Sequence, residues 1–335
     1  MLNNVPLTLD DHDPRTVAAE VAERQLYDFY GISHTVRRIL LPRYGIKVRI
    51  TETGEGDPVV IVPGNTGDGF PFIPLLPHLP GRRIIIFNRP GGGLSEGMDH
   101  TTVDFHDFAV ETLTTVFDAL GLDRAPIIAH SMGGHWSQWF AMACPERVTA
   151  LALLGVPGNV LTTRPTLLLR LTTLPGFGKS VGRLSVPKNA ATALNGLKIT
   201  GHSAESIARQ PAALAEAYYR FPNLPHYLTS TLSLMTSVNW LGGSKPRYRI
   251  TAEQLVTITQ PVFYLWGTHD PFGSVETGRK IASLVPDSEF HTLAGGGHLP
   301  WLDAPELAGR LVTDFLNRRQ TGKSVNTPAE DVTHA

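Results

Sequence analysis

Short continuous apolar runs alternate with longer amphipathic stretches along most of this chain. Residues 84–87, 127–129, 150–154 and 261–267 are the apolar runs, each bounded by turn residues, and they read as strands, as does the short stretch 289–293. Between them, residues 102–120 place Ala109, Leu113, Val116, Phe117 and Leu120 on one helical face, and Gly121 closes the helix. Runs of this kind, buried on both sides and separated by helices, predict an α/β fold. Its mostly parallel central sheet is covered by helices on both faces. Residues 36–41 and 46–51 read as an antiparallel edge pair, and residues 14–30 as an amphipathic helix outside the main sheet. Asp303 is expected to cap the last helix, and from about Gln320 the chain turns polar and is expected to fray. Residues 160–250 break the alternation. They are rich in Leu, Thr and Pro, with helical stretches at 204–220 and 227–239.

Composition narrows the class. With 335 residues, 42 % hydrophobic and 18 % charged, the chain has the profile of a soluble globular protein with an ample core. A net charge of −1 gives no global basic surface for nucleic acid. The single cysteine, Cys144, permits no intrachain disulfide and is read as a core residue. The first fifteen residues carry several aspartates and no apolar segment, unlike a signal peptide. The leucine-rich run at 166–177 is interrupted by Arg170 and flanked by Arg164 and Lys179, too short for stable membrane insertion. A cytoplasmic location is therefore expected.

The candidate chemistry centres on residues 127–134, Ile-Ile-Ala-His-Ser-Met-Gly-Gly. An apolar strand runs into a tight turn with Ser131 at its tip, and Gly133 and Gly134 let a helix pack close behind. This is nearly the G-x-S-x-G nucleophile elbow, with Ala129 in place of the first glycine. An ordinary strand–turn–helix corner is the alternative. A serine nucleophile needs a base, and the base an orienting acid. Asp270 follows the strand at 261–267, and His298 follows the strand at 289–293 on a Gly-Gly-Gly loop. The alternatives are a helix cap for Asp270 and a satisfied loop histidine for His298. Strand-end position favours catalysis for both. His130 is expected to point away from Ser131 into the core or a supporting hydrogen bond. His135 is expected to pack, and His269 to sit in a loop. No His, Cys, Asp or Glu spacing indicates a metal, Gly91–Gly93 lacks the Lys-Ser/Thr of a phosphate loop, and no cofactor is expected.

The order Ser131, Asp270, His298 resembles the α/β-hydrolase superfamily, in its serine-nucleophile branch with a helical cap. The resemblance covers roughly residues 45–160 and 255–318. Residues 59–65, Val-Val-Ile-Val-Pro-Gly-Asn, are similar to the family's third strand and oxyanion loop, with Pro63 where a histidine is usual. Residues 88–95, Asn-Arg-Pro-Gly-Gly-Gly-Leu-Ser, are similar to the loop after its fourth strand, with Asn88 for the common aspartate. The resemblance implies oxyanion donation by the backbone N–H groups of Asn65 and Met132, and a cap inserted after the sixth strand. It thereby implies an N-terminal extension with a helix (1–34), a first core part (35–159), a helical cap (160–250), a second core part (251–319) and a flexible tail (320–335). Leu168, Phe177, Leu232, Met235 and Trp240 could line a pocket, or pack the cap onto itself.

The implied activity is a carboxylesterase-like serine hydrolase acting on a small-molecule ester or related acyl bond. The same triad could instead serve C–C bond or lactone hydrolysis or cofactor-free peroxidation, or the cavity could serve a non-catalytic receptor. A neutral histidine base implies activity rising through a pKa of about 6–7. The cap segment carries eleven basic and two acidic residues, the rest of the chain eighteen and twenty-eight. The excess either faces solvent and the acidic body or steers anionic substrates. Neither oligomeric state nor substrate follows from these patterns.

Overall fold

The computed structural model describes residues 8–157, 160–161, 163, 166–174, 176–320 and 330–332. Eleven strands are present among them: β1 (His34–Leu41), β2 (Ile46–Thr53), β3 (Asp57–Val62), β4 (Arg82–Phe87), β5 (Ala125–His130), β6 (Val148–Leu154), β7 (Asn239–Trp240), β8 (Gly243–Ser244), β9 (Val262–Gly267), β10 (Ser288–Leu293) and β11 (Glu330–Val332). Nine of them form one sheet in the order β1-β2-β4-β3-β5-β6-β9-β10-β11, and β7 and β8 form a separate small pair. β1 pairs antiparallel with β2, and β2 antiparallel with β4. Every later pairing in the sheet is parallel. The final three-residue strand lies within the segment read from sequence as a tail.

Side-chain alternation explains why both faces are covered. On β3, Val60 and Val62 enter one core cluster with Ile85, Phe87 and Ile127, while Val59 and Ile61 enter the other with Ile84, Ile86 and Ile128. Each fully buried side chain of this kind contributes about 1.5–3 kcal/mol of transfer free energy. Helices α1 (Pro14–Phe29), α2 (Phe105–Ala119) and α3 (Met132–Ala143) flank the first half of the sheet. Helix α1 is tied down by Arg49 of β2, which pairs with Glu20 and the buried Glu23. Helix α2 starts at Phe105, three residues later than its periodicity suggested, because the Asp104 carboxylate accepts the His106 and Asp107 N–H groups.

After β6 come seven helices: α4 (Leu167–Leu171), α5 (Phe177–Ser185), α6 (Ala190–Ala193), α7 (Gly196–Ile199), α8 (Ala204–Ala208), α9 (Ala212–Arg220) and α10 (Tyr227–Val238). The helix expected over 204–220 is thus broken in two. Pro211 has no N–H to continue the ladder and disfavours helical backbone at Gln210. The remaining helices are α11 (Ala252–Leu255), α12 (Val275–Ala282), α13 (Pro300–Asp303) and α14 (Pro305–Gln320). Asp303 does not cap the last helix, which begins at Pro305. It ends α13, and its carboxylate turns back toward the loop before it.

The chain passes from β3 to β4 on one side and then returns to β5 on the other. A parallel sheet leaves a crevice at such a switch point, beyond the carboxyl ends of its strands. The loops after β3 and β5 both open there, with Val62 aligned to Ala129 across the pair.

Candidate active site

Ser131 sits at the end of β5 with φ 50° and ψ −121°, a backbone conformation L-residues avoid. Such strain, about 1–3 kcal/mol, persists only where the surroundings enforce it. Here they do. Helix α3 starts at the next residue, and its first turn lies directly on the end of β3. A Cβ on Gly133 would come within 2.2 Å of the Val62 carbonyl oxygen and 2.4 Å of that of Pro63. The Ser131 N–H is held by the Gly155 carbonyl at 3.1 Å. The hydroxyl is thereby pushed up over the sheet edge.

His298 must reach Ser131 from β10, two strands beyond β6. The path is opened by backbone left bare at the ends of the strands in between. A Cβ on Gly155, after β6, would meet the His298 carbonyl oxygen at 2.2 Å, and one on Gly267, at the end of β9, the Gly297 oxygen at 2.1 Å. The loop crosses over these two glycines. His298 Nε2 then lies 3.0 Å from Ser131 Oγ, and Nδ1 lies 2.8 Å from Asp270 Oδ2. Asp270 is buried, and its other oxygen accepts the Phe272 N–H at 2.9 Å. With the carboxylate on Nδ1, that nitrogen carries the proton and Nε2 is free to accept from the serine. The structure therefore brings together the three residues singled out in sequence.

Asn65 and Met132 flank the serine in the same cavity. Among the described hydrogen bonds, neither backbone N–H has an acceptor. Met132 is the first residue of α3, where an N–H has no partner within the helix. The loop that carries Asn65 is held by a residue the sequence reading passed over. Arg89, fully buried, donates from Nε to the Pro63 carbonyl at 3.0 Å and from Nη2 to the carbonyls of Gly64 and, at 2.9 Å, Asn65. Its guanidinium lies over the Trp136 ring, 4.8 Å from the centroid. Burial pulls the Arg89 pKa down to about 9 and pushes that of Asp68, three residues beyond Asn65, up to about 7.

The histidine loop has its own braces. His130 Nε2 donates to the His298 carbonyl at 3.1 Å. Its ring lies beside that of His298, centroids 4.6 Å apart, and lines the cavity rather than pointing away from it. Burial holds His130 well below the usual histidine range, so it stays neutral. On the other side, the Thr200 carbonyl accepts the His298 N–H at 2.8 Å, and the Leu299 N–H points to His202 Nε2 at 3.4 Å. His202 Nδ1 is 2.9 Å from Asp303, which also accepts from Gly297 N–H at 2.7 Å and from Ser206 Oγ at 2.5 Å. The segment joining α7 to α8 thus grips both flanks of His298. His202 and Asp303 lie 101 residues apart, so no local spacing signals their pairing. The glycine run before His298 was the available hint of a crowded crossing.

The remaining expectations resolve individually. His135 is fully buried and bonded to the Tyr248 carbonyl at 2.8 Å, a packing role, and His269 is an exposed loop residue. Cys144 is half-buried against the core at the end of α3. Of the five apolar residues suggested for a pocket, Met235 lines it. Leu232 is buried elsewhere, Phe177 and Trp240 are exposed, and the side chain of Leu168, like Arg164, lies outside the described residues. Asp104, His106 and Asp107 gather within reach of one ion, a cluster unseen in sequence, but two of the contacts are the N-terminal cap of α2. No described helix is long and apolar enough to cross a membrane.

Comparison with known proteins places this arrangement. The sequence family described as "alpha/beta hydrolase fold" matches residues 57–305. Among curated relatives, a 2-hydroxy-6-oxononadienedioate/2-hydroxy-6-oxononatrienedioate hydrolase of Comamonas testosteroni is 27 % identical over 285 residues, covering 81 % of this chain and 91 % of its own. One with the same name from Pseudomonas sp. is 25 % identical over 290 residues, covering 81 % and 92 %. Among solved structures, the naproxen esterase of Bacillus subtilis aligns with a TM-score of 0.68 at 17 % identity over 92 % of this chain and all of its own. The 2-hydroxy-6-oxo-6-phenylhexa-2,4-dienoate hydrolase of a Rhodococcus strain aligns at 0.69 and 16 % identity over 85 % and 99 %. At these identities the structural matches speak for the fold.

Proposed function

The chain belongs to the alpha/beta hydrolase fold family and is a hydrolase, and on that premise we propose that it cleaves a small-molecule carboxylic ester or related acyl bond with Ser131 as nucleophile. The observation that carries this reading is the continuous contact from Asp270 through His298 to Ser131 at 2.8 and 3.0 Å. Ser131 Oγ attacks the substrate carbonyl while His298 Nε2 takes its proton. Asp270 keeps Nδ1 protonated and stabilises the imidazolium that forms. The Asn65 and Met132 N–H groups hold the oxyanion, and His298 hands its proton to the leaving alcohol. Water then attacks the acyl-enzyme through the same base.

The names of the curated relatives favour a second reading, in which the same residues hydrolyse a C–C bond beside a ketone. One experiment tests the shared core of both. A fluorophosphonate probe is expected to label Ser131, and Ser131→Ala to lower turnover by about a thousandfold or more. Labelling at another serine, or wild-type turnover in the variant, refutes the assignment. Turnover of aryl esters against a vinylogous 1,5-diketone then separates the two reactions.

A further inference from the structure

The cavity above Ser131 has a volume of about 390 Å³. Most of its wall is apolar, with Phe70, Phe72, Leu169, Leu197, Met235 and Phe272 contributing. Among the described residues no lysine or arginine lines it. Arg183, Lys188, Lys198 and Arg247 are exposed, and Arg209 and Arg220 pair with Glu205 and Glu216 of their own helices. Arg89, a buried cation nearby, does not line the cavity and directs Nε and Nη2 to the carbonyls of residues 63–65.

What the cavity does contain is a carboxyl group. Asp68 lines it and is 5 % exposed. Thr66 and the Gly93 N–H bond to this carboxyl, while its Oδ1 is buried without a described partner. Tyr218 and Tyr227 share the cavity, and burial first, with the nearby Asp68 second, holds both phenols above their usual range. Two further oxygens at the same wall, Asn65 Oδ1 and Asn239 Oδ1, are also buried without a described partner. Unpaired buried acceptors of this kind are costly unless a ligand completes them. A substrate carboxylate would lose its water with no lysine or arginine among the described lining residues to replace it, beside a carboxyl group that repels it once ionised.

Resting on the serine-hydrolase reading, we propose that the substrate is uncharged and largely apolar, and that it carries a hydroxyl or N–H group that donates to Asp68. This sets the chain apart from the named relatives, whose dioates carry two carboxylates. The basic surface of the 160–250 segment is then a solvated exterior and not a substrate guide.

The test is a set of p-nitrophenyl esters of one acyl length, ending in methyl, hydroxyl or carboxylate, with the hydroxyl also stepped along the chain. In the wild-type protein kcat/KM for the carboxylate ester is expected to fall at least about a hundredfold below that of the methyl ester. The hydroxyl series is expected to peak at one position, about tenfold above its neighbours. Asp68→Asn is expected to shrink the methyl-to-carboxylate ratio by about tenfold or more. If that variant fails to fold, the wild-type ratios decide alone. A carboxylate ester turned over as well as the methyl ester, with Ser131 labelled by the phosphonate, overturns this inference and leaves the hydrolase reading standing. Failure of the label together with failure of every ester overturns both.

Discussion

Replacing Arg89 by lysine keeps the charge and removes the fork. The guanidinium now serves three consecutive carbonyls, Pro63, Gly64 and Asn65, from a fully buried position. A single ammonium on a flexible stem can reach about one of them. The Gly64 carbonyl keeps the Gly67 N–H, so one or two carbonyls are left unsatisfied, at about 1–3 kcal/mol each, and the folded state should lose about 1–6 kcal/mol. Against a typical total of about 5–15 kcal/mol, the variant stays folded at moderate temperature but melts earlier. The catalytic consequence is separate. These carbonyls belong to the loop that presents the Asn65 N–H, and a displaced oxyanion donor costs about a hundred- to a thousandfold in kcat. The donor is used mainly in the transition state, so KM should change by much less. Denaturant unfolding, followed by kcat and KM measured below the melting range, checks both parts. A variant with kcat within threefold of wild type and stability within about 1 kcal/mol would refute the reasoning. Arg89 would then be a spectator, and the loop would be held by β3 and β4 alone.

Three other outcomes are expected. Asp270→Asn should leave the fold intact yet lower kcat by up to about ten-thousandfold, because the amide favours the wrong His298 tautomer; a harmless substitution would mean another acid orients the base. Gly133→Ala should force α3 and the end of β3 apart, since its Cβ would lie 2.2 Å from a backbone oxygen, costing about 1–3 kcal/mol in thermal unfolding together with most of the activity; an unchanged melting temperature would contradict this packing. Asp68, raised from 3.8 to about 7 by burial, holds a proton in the folded chain that the unfolded chain releases, so its contribution to stability is complete below pH 4 and is lost as pH rises through about 7. Asp68→Asn should therefore flatten the loss of stability between pH 5 and pH 8 by about 2–3 kcal/mol, and parallel curves for the two proteins would exclude the buried, protonated carboxyl.

The strands were legible because burial on both faces leaves nearly uninterrupted apolar runs, as in residues 84–87 and 150–154, and no other element of this length has that reason to exist. The serine was legible because an elbow needs small residues in fixed places. The braces were not. Arg89, His202 and Asp303 act on backbone groups brought near by the topology, and such pairings leave no periodicity. Asp303 illustrates the difficulty: an aspartate just before Ala-Pro-Glu looks like a helix cap, and only the return of the 200–210 segment reveals its other partners. Of the apolar residues of 160–250 offered as pocket markers, Met235 lines the cavity while Phe177, Leu232 and Trp240 do not, for a related reason. Hydropathy marks Leu232 and Trp240 as apolar, but Leu232 is buried away from the cavity and Trp240 stays exposed.

The grip of the α7–α8 segment on His298 bears on how this protein could be rebuilt. The 160–250 segment invites treatment as a cassette, to be exchanged for a new specificity. Here the cassette supplies the Thr200 carbonyl and His202 imidazole that hold the backbone on either side of His298, and Ser206 shares their anchor on Asp303. A chimera cut near residues 160 and 250 would receive a foreign roof and lose the fastening of its own histidine. A functional exchange has to keep residues 200–210 with the recipient, or transplant the donor's histidine loop along with its cap.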